Sequence, residues 1–230
     1  MRKGILYGVG VGPGDPELIT FKAVRTIQSC PVVAAPMTSG GGTLALDIVR
    51  QAVDLADKRI VRLSFSMSRD AAERDRGYER AAAELCELLG SGSDVALLNL
   101  GDPSIYATFQ RVAGLVRAAG FETHAVPGVP SFCAVAARLD ADLTPSEREP
   151  LHIVPARAAG LSDALAMPGT KVVMKAGAHL GELKRDLAEA GVYERVSLVA
   201  DCGMPGELVV RNLDEAPDKG SYFTTLVIRP

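Results

Sequence analysis

Residues 4–20 read GILYGVGVGPGDPELIT and decide how the fold begins. An apolar run spaced by glycines stops at Gly12, where we expect a β-strand to end. Asp15 then stands where a side chain can cap a turn of helix, and Pro16 occupies the first helical position, which favours proline. The stretch therefore predicts a strand that turns sharply into a helical segment.

A second stretch, residues 95–106, reads VALLNLGDPSIY and has the same arrangement. Its apolar run ends at Gly101, and Asp102 and Pro103 follow in the capping and first helical positions. The carboxyl ends of parallel strands are where open α/β sheets bind ligands. A single turn of this kind favours a purely structural role, whereas two of them in one domain favour a binding site with accessible main-chain groups.

Short apolar runs alternate with amphipathic stretches through the first half of the chain. Strands are predicted over Ile5–Val11, Val32–Ala35, Arg59–Leu63, Val95–Leu100 and Glu122–Val126. Helices are predicted over Phe21–Ser29, Leu44–Val53, Asp70–Leu89 and Ile105–Ala118. This alternation predicts a parallel sheet that is covered on both faces.

The second half begins at the Pro-Gly turn of residues 127–130 and changes character towards its end. Helices are predicted over Ser131–Leu139 and Ala178–Ala190, a loop over Asp140–Pro150, and strands over Leu151–Pro155, Thr170–Lys175, Arg195–Asp201, Leu208–Asn212 and Ser221–Ile228. No helix separates the last two strands, and consecutive strands without a crossover helix are usually antiparallel. We therefore expect two α/β domains, residues 1–126 with a parallel sheet and residues 127–230 with a mixed sheet.

The bulk composition restricts the class of protein. The chain has 230 residues, of which 47% are hydrophobic, which is enough for a core. A net charge of −3 gives no basic surface for nucleic acid or for an anionic membrane, so neither partner is expected. No apolar stretch is long enough to span a bilayer, and the short glycine-rich run near the start is a strand rather than a signal peptide.

Cysteine and histidine are dispersed along the chain. The four cysteines form no Cys-x-x-Cys pair, and the three histidines have no ligand spacing, so no metal site is expected. Free thiols of this kind are typical of the reducing cytosol, and a cytoplasmic location is predicted.

Common nucleotide and nucleophile motifs do not fit the glycine turns. The spacing Gly-x-Gly-x-x-Gly fails from Gly8, Gly10 and Gly12, and residues 18–46 hold no Asp or Glu to bind a ribose. The same absence weighs against the commonest Rossmann-like methyltransferase architecture. Neither a P-loop nor a Gly-x-Ser-x-Gly elbow occurs.

Four segments together resemble the tetrapyrrole methyltransferases, which use S-adenosylmethionine to modify the corrin precursor ring. These segments are residues 7–20, 100–106, 126–129 and 201–205. Within the family, residues 99–109, NLGDPSIYATF, are most similar to the C-20 methyltransferases, and Cys202–Pro205 and Tyr222–Phe223 fit the same branch. The chain departs from the usual pattern at Ser66, Pro130 and Lys175.

The resemblance implies two α/β domains with an intervening cleft, a homodimer, and S-adenosylmethionine as methyl donor. The implied reaction is methylation of C-20 of precorrin-2, or of its cobalt-chelated counterpart cobalt-factor II, in cobalamin biosynthesis. By the same match, the residues expected to bind the donor are Pro13, Leu100, Gly101, Asp102, Ile105, Tyr106, Pro130, Ser131, Lys175 and Gly203.

A proton must leave C-20 after methylation, and two residues are candidates to accept it. Asp102 is one, although it is also expected to cap a helix that begins near Pro103. Tyr222 is the other, although a phenol has a high ordinary pKa and the residue also fits an ordinary aromatic on a terminal strand.

The sequence does not assign the side chains that would meet the substrate's carboxylates. Arginine suits such groups, and the candidates are Arg69, Arg74, Arg76, Arg80, Arg138 and Arg157. The first four alternate with acidic residues at helical spacing, which is also typical of a solvated helix face.

Three other functions stay open at this point. One is another position-specific methyltransferase of the family, acting for example at C-11 or C-17. The second is a protein that binds S-adenosylmethionine or a tetrapyrrole without turnover. The third is a relative that acts on RNA or protein, which the lack of a basic stripe disfavours for RNA.

Overall fold

A computed structural model describes residues 2–37, 41–66 and 70–230 of the chain. The contacts between its Cα atoms divide it into two compact units, with the boundary between Pro130 and Ser131. Each unit contains one five-stranded sheet. Within the described residues, no helix combines the length and the apolar character needed to cross a membrane.

The first unit is built on a parallel sheet with the strand order β3-β2-β4-β1-β5. Its strands are β1 (Ile5–Gly10), β2 (Val32–Pro36), β3 (Arg59–Leu63), β4 (Val95–Asn99) and β5 (Glu122–Val126). Its helices are α1 (Phe21–Ser29), α2 (Leu44–Ala52), α3 (Ala71–Gly90) and α4 (Phe109–Ala118). A single 3₁₀ turn, Pro16–Leu18, lies between β1 and α1.

The two faces of this sheet carry separate hydrophobic cores. Leu97 of β4 belongs to the core that includes Leu85 of α3 and Phe109 of α4. The next residue, Leu98, belongs to the core that includes Ile27 of α1. Successive side chains of a strand point to opposite faces, so an uninterrupted apolar run is what a strand covered on both sides requires. This arrangement holds β4 and its neighbour β1 in the centre of the unit.

The second unit is built on a mixed sheet with the strand order β6-β7-β10-β8-β9. Its strands are β6 (Leu151–Pro155), β7 (Thr170–Met174), β8 (Val196–Ala200), β9 (Leu208–Val210) and β10 (Thr224–Ile228). Its helices are α5 (Ser131–Leu139), α6 (Leu161–Ala166) and α7 (Leu180–Glu189). Strands β6 and β7 are parallel, whereas β10 runs antiparallel to both β7 and β8, and β9 runs antiparallel to β8.

This sheet is also covered on both faces. Val173 and Leu226 pack in one core with Leu183 of α7. Val227 packs on the other side with Val135 of α5. The cores fix the carboxyl ends of β7 and β8 next to the amino end of β10.

The predicted fold class, a parallel sheet followed by a mixed sheet, is confirmed. Three details differ. The helix predicted from Ile105 begins at Phe109, and α6 was not predicted. The strands predicted over 208–212 and 221–228 are not neighbours, because β8 separates them and both pair with it antiparallel.

Candidate functional site

The carboxyl ends of β1 and β4 lie side by side, as the repeated turns predicted. The two strands pair in parallel register, and Val11 N–H donates to Asn99 O at 2.9 Å. One step further, Gly101 N–H donates to Gly12 O at 2.7 Å. Gly12 and Gly101 both have positive φ, +80° and +71°. Glycine adopts this conformation without strain, so both strands can turn at the same level.

Two glycines at this point, Gly10 and Gly128, have no room for a side chain. A Cβ atom on Gly128 would lie 2.3 Å from Gly101 O, and one on Gly10 would lie 2.6 Å from the backbone nitrogen of Gly128. Three backbone segments therefore meet directly, without intervening side chains. We call the turns at Gly12, Gly101 and Gly128 the glycine cluster. Such an arrangement can present main-chain donors and acceptors to a ligand.

The carboxylate of Asp102 connects two of these turns. Its Oδ1 accepts hydrogen bonds from the backbone nitrogen and hydroxyl of Ser104, at 2.8 and 2.5 Å. Its Oδ2 accepts from the Gly128 N–H at 3.0 Å. Burial raises the pKa of Asp102, but the hydrogen bonds from Ser104 and Gly128 outweigh it and hold this pKa below its usual value. The group is an anion held by three donors.

The predicted helix cap at Asp102 is wrong. Asp102 caps a turn through Ser104, and α4 begins only at Phe109. The helix begins later than predicted because Tyr106 has a φ of +47°, which is incompatible with a right-handed helix. In the first stretch the prediction is confirmed, since Asp15 accepts from the Glu17 N–H at 2.8 Å at the start of a 3₁₀ turn.

The residues predicted to bind the donor in the first unit lie on one loop after β4 and on the turns near Gly12 and Gly128. In the loop after β4, Gly101 is buried and Tyr106 is exposed. The other predicted residues of this loop, Leu100, Asp102 and Ile105, are half-buried. Pro13 is buried and follows Gly12, whose carbonyl bonds to this loop. Pro130 is half-buried and follows the Gly128 turn by two residues.

In the second unit, a different set of groups collects around the amino end of β10. Lys175 follows β7 and Asp201 follows β8, with positive φ of +59° and +51°. Ser221 donates its hydroxyl proton to Asp201 Oδ1 at 2.5 Å. Lys175 Nζ lies 5.6 Å from the ring centroid of Tyr222, which is 43% exposed. The structure thus brings the predicted residues Lys175 and Tyr222 together.

Gly203 and Ser131, the remaining predicted residues of the second unit, lie on different elements. Gly203 is exposed in the turn after β8, and its N–H donates to Glu207 Oε2 at 2.9 Å. Ser131 is half-buried and is the first residue of α5. Glu207 Oε1 also accepts from Arg138, in the last turn of α5.

The sequence interpretation did not single out Asp201, Ser221 or Glu207. Asp201 directly follows a buried apolar strand, in the same position as the other predicted site residues, so its place was readable. Asp201 lies 20 residues from Ser221, and Arg138 lies 69 residues from Glu207, so local patterns do not reveal these two contacts. Of the arginine candidates, Arg69 lies outside the described residues. Among residues 2–37, 41–66 and 70–230, no group of three or more His, Cys, Asp or Glu side chains is arranged to hold a metal ion.

Several known proteins that are similar to this chain are methyltransferases of tetrapyrroles. The chain is 34% identical to the cobalt-precorrin-2 C(20)-methyltransferase of Salmonella typhimurium, over 98% of this chain and 96% of that protein. It is 31% identical to a probable cobalt-precorrin-2 C(20)-methyltransferase of Methanocaldococcus jannaschii, over 97% and 95%. The crystal structure of a cobalt precorrin-4 methyltransferase superposes with a TM-score of 0.76 at 22% identity, over 97% of this chain and 94% of that one. The sequence pattern of the tetrapyrrole (corrin/porphyrin) methylases matches residues 5–217, and the chain belongs to that family.

Proposed function

We propose that this protein transfers the methyl group of S-adenosylmethionine to C-20 of precorrin-2, or of its cobalt-chelated counterpart, in cobalamin biosynthesis. The observation that carries the proposal is the similarity to two cobalt-precorrin-2 C(20)-methyltransferases over nearly the whole of both chains. Both of those names specify a cobalt-bearing substrate, so we expect the cobalt form to be preferred.

The glycine cluster fits the donor, because main chain without side chains allows a ligand to approach closely. Asp102 adds a fixed negative charge, which suits a sulfonium or an amino group. The residues that would hold the donor are Pro13, Leu100, Gly101, Asp102, Ile105, Tyr106, Pro130, Ser131, Lys175 and Gly203. When bound, S-adenosylmethionine supplies an electrophilic methyl carbon, so the protein has mainly to position and orient the two reactants.

The two candidate proton acceptors have different chemistry. Asp102 is stabilised as an anion by three hydrogen bonds and has a lowered pKa, which makes it a weak base. We therefore assign it to holding the loop and to balancing positive charge. Tyr222 is exposed, and the ammonium group of Lys175 lies near its ring. Because Asp102 is a weak base, we assign removal of the C-20 proton to the other candidate, Tyr222.

The family resemblance also leads us to propose that the protein works as a homodimer in the cytoplasm. Sedimentation equilibrium at micromolar concentration tests the first point, with a single species of twice the chain mass of 24.2 kDa expected. A monomer at all concentrations would contradict it. Localisation of a tagged chain tests the second point.

The decisive experiment supplies purified protein with labelled S-adenosylmethionine and, in parallel, precorrin-2 and cobalt-factor II. We expect S-adenosylhomocysteine and a product heavier by one methyl group, which NMR locates at C-20. A methyl group at C-11 or C-17 would make the protein another member of the family. Saturable binding of the donor without S-adenosylhomocysteine would make it a binding protein, and a shift of RNA in a gel would favour the RNA alternative.

A further inference from the structure

The turn after β8, residues 201–207, has an unusual backbone. Three of its residues have positive φ: Asp201 at +51°, Gly203 at +74° and Gly206 at +89°. Two short hydrogen-bonded turns close it, with Met204 N–H bonded to Asp201 O at 2.9 Å and Glu207 N–H bonded to Met204 O at 3.1 Å. Because glycine adopts many other backbone conformations as readily, hydrogen bonds from its surroundings are needed to fix the turn in this one.

Glu207 supplies that restraint. Its Oε2 accepts from the Gly203 N–H at 2.9 Å, and its Oε1 accepts from Arg138 Nε at 2.5 Å. The Glu207 side chain is 19% exposed, whereas Arg138 is 58% exposed. The carboxylate is therefore bonded to the main-chain N–H of Gly203 on one side and to Arg138 of α5 on the other.

Arg138 makes the contact significant for the site. It lies in the last turn of α5, and the first residue of that helix is Ser131. Glu207 thus connects two of the segments of the second unit that the proposed function assigns to the donor, the Gly203 turn and α5. Since both bonds use one carboxylate, a shift of either segment is transmitted to the other through a single group.

We propose that Glu207 is a positioning residue for the methyl donor, with Arg138 as its partner, and that it holds the Gly203 turn in its binding conformation. This inference rests on the proposed function, which assigns Gly203 to the donor. Removal of the carboxylate leaves the Gly203 N–H without its acceptor and frees a turn that contains three positive φ angles. The loss falls on donor binding and not on the methyl-transfer step, because Glu207 does not contact the reacting atoms.

The variants are Glu207→Ala, Glu207→Gln, Arg138→Ala and the double variant of both positions. S-adenosylhomocysteine is titrated into each by calorimetry, and kcat, KM and Tm are measured. We expect Glu207→Ala to weaken binding about tenfold, as loss of a hydrogen bond to a charged group does, with kcat within about twofold. Glu207→Gln keeps an oxygen that accepts from Gly203, so it should recover part of the affinity. The double variant should bind no worse than Glu207→Ala, because the two side chains act as one unit.

Arg211→Ala is the matched control. Arg211 Nη1 donates to Leu139 O at 2.6 Å, so it also holds α5, and neither Leu139 nor its other hydrogen-bond partner, Ser197, is assigned to the donor. We expect it to lower Tm and leave the affinity for S-adenosylhomocysteine unchanged. Wild-type affinity in Glu207→Ala, or losses of affinity that simply follow Tm across all the variants, would overturn the inference. Wild-type protein that binds no S-adenosylhomocysteine would instead overturn the proposed function.

Discussion

The two units turn their strand ends in different ways. In the first unit, Gly12 and Gly101 provide the positive φ angles after β1 and β4. In the second unit, Lys175 and Asp201 adopt positive φ after β7 and β8 although they carry side chains. Left-handed backbone costs a residue other than glycine about 1 kcal/mol. Gly12 and Gly101 avoid this cost, although Tyr106, further along the loop after β4, has a φ of +47°. Lys175 and Asp201 accept the cost and place two charged side chains at their strand ends.

Neighbouring residues stabilise the left-handed conformation of Asp201 in the second unit. Asp201 N–H donates to Phe223 O at 3.3 Å, and its carboxylate accepts from Ser221. Residues in sparsely populated backbone regions concentrate at functional sites. We infer that the first unit contributes mainly backbone to binding and the second mainly side chains, and this difference can be tested by substitution.

The largest expected effect comes from filling the glycine cluster. In Gly128→Ala the new Cβ would lie 2.3 Å from Gly101 O, so the backbone must move. We expect the free energy of unfolding to fall by about 3 kcal/mol or more, and binding of S-adenosylhomocysteine to be lost. Urea denaturation and calorimetry measure the two effects.

Gly114→Ala is the control for this variant. Gly114 lies within α4 and a Cβ there meets nothing within 4 Å. Alanine is the better helix former, so this variant should be more stable by up to about 1 kcal/mol, with unchanged binding. If Gly128→Ala is as stable as the wild type and binds S-adenosylhomocysteine equally well, the first unit does not bind the ligand mainly through its main chain.

The next effect concerns the charge of Asp102. Its pKa in the folded protein is below the ordinary value of 3.8, so the anion stabilises the fold above that value. This stability is lost as the pH falls through the folded pKa. We expect Asp102→Asn to cost about 2 kcal/mol at pH 7, because hydrogen bonds to a charged acceptor are stronger than those to an amide.

Urea denaturation of both proteins between about pH 2.5 and 7 checks this prediction, because this range spans the ordinary pKa of the Asp102 carboxyl, 3.8. The difference between wild type and Asp102→Asn should be constant near neutral pH and shrink below about pH 4. A difference that does not change with pH would mean that the carboxylate is not held as an anion by Ser104 and Gly128.

Local sequence patterns predicted the sheets better than the turns between them. The apolar run of β4 and the glycine after it were readable because burial on both faces requires an apolar run. The start predicted for α4, Ile105, was wrong because Ile105 N–H bonds to Asp102 O and Tyr106 then adopts positive φ. α6 was missed because it has only six residues, follows Gly160 and ends shortly before Pro168.

Long-range pairing limited the prediction of the second unit and of its site. β10 inserts between β7 and β8, which the order of strands along the chain does not indicate. Local patterns assign no role to Glu207, since its partner Arg138 is distant in sequence. Residues within one glycine turn could be grouped from the sequence, whereas contacts between distant segments required the fold.

Two opposite substitutions test the difference between the units directly: alanine for a glycine in the first unit, and glycine for a lysine in the second. Gly12→Ala forces a side chain to adopt a φ of +80° with Leu18 O 3.1 Å away, and should cost about 1–2 kcal/mol. In Lys175→Gly, relief of about 1 kcal/mol of strain is offset by the entropy of glycine, so stability should stay within about 1 kcal/mol of wild type. Methyl transfer should nevertheless fall sharply in Lys175→Gly, because the cation beside Tyr222 is gone.

Thermal and urea denaturation with turnover assays separate the two variants. Full activity in Lys175→Gly would mean that the lysine side chain is not needed for methyl transfer. The positive φ of Lys175 would then have no functional explanation. Gly12→Ala with wild-type stability would show that the turn of the first unit tolerates a side chain.

The smallest expected effect lies at the opposite end of β7. Thr170 is fully buried at the amino end of this strand, and its hydroxyl has no hydrogen-bond partner within the described part of the chain. Thr170→Val removes an unsatisfied polar atom at nearly constant shape, so it should raise the free energy of unfolding by about 1 kcal/mol. Affinity for S-adenosylhomocysteine should not change, because Lys175 and Tyr222 lie beyond the other end of the strand. Weaker binding in Thr170→Val would show that the site depends on the whole strand and not only on its carboxyl end.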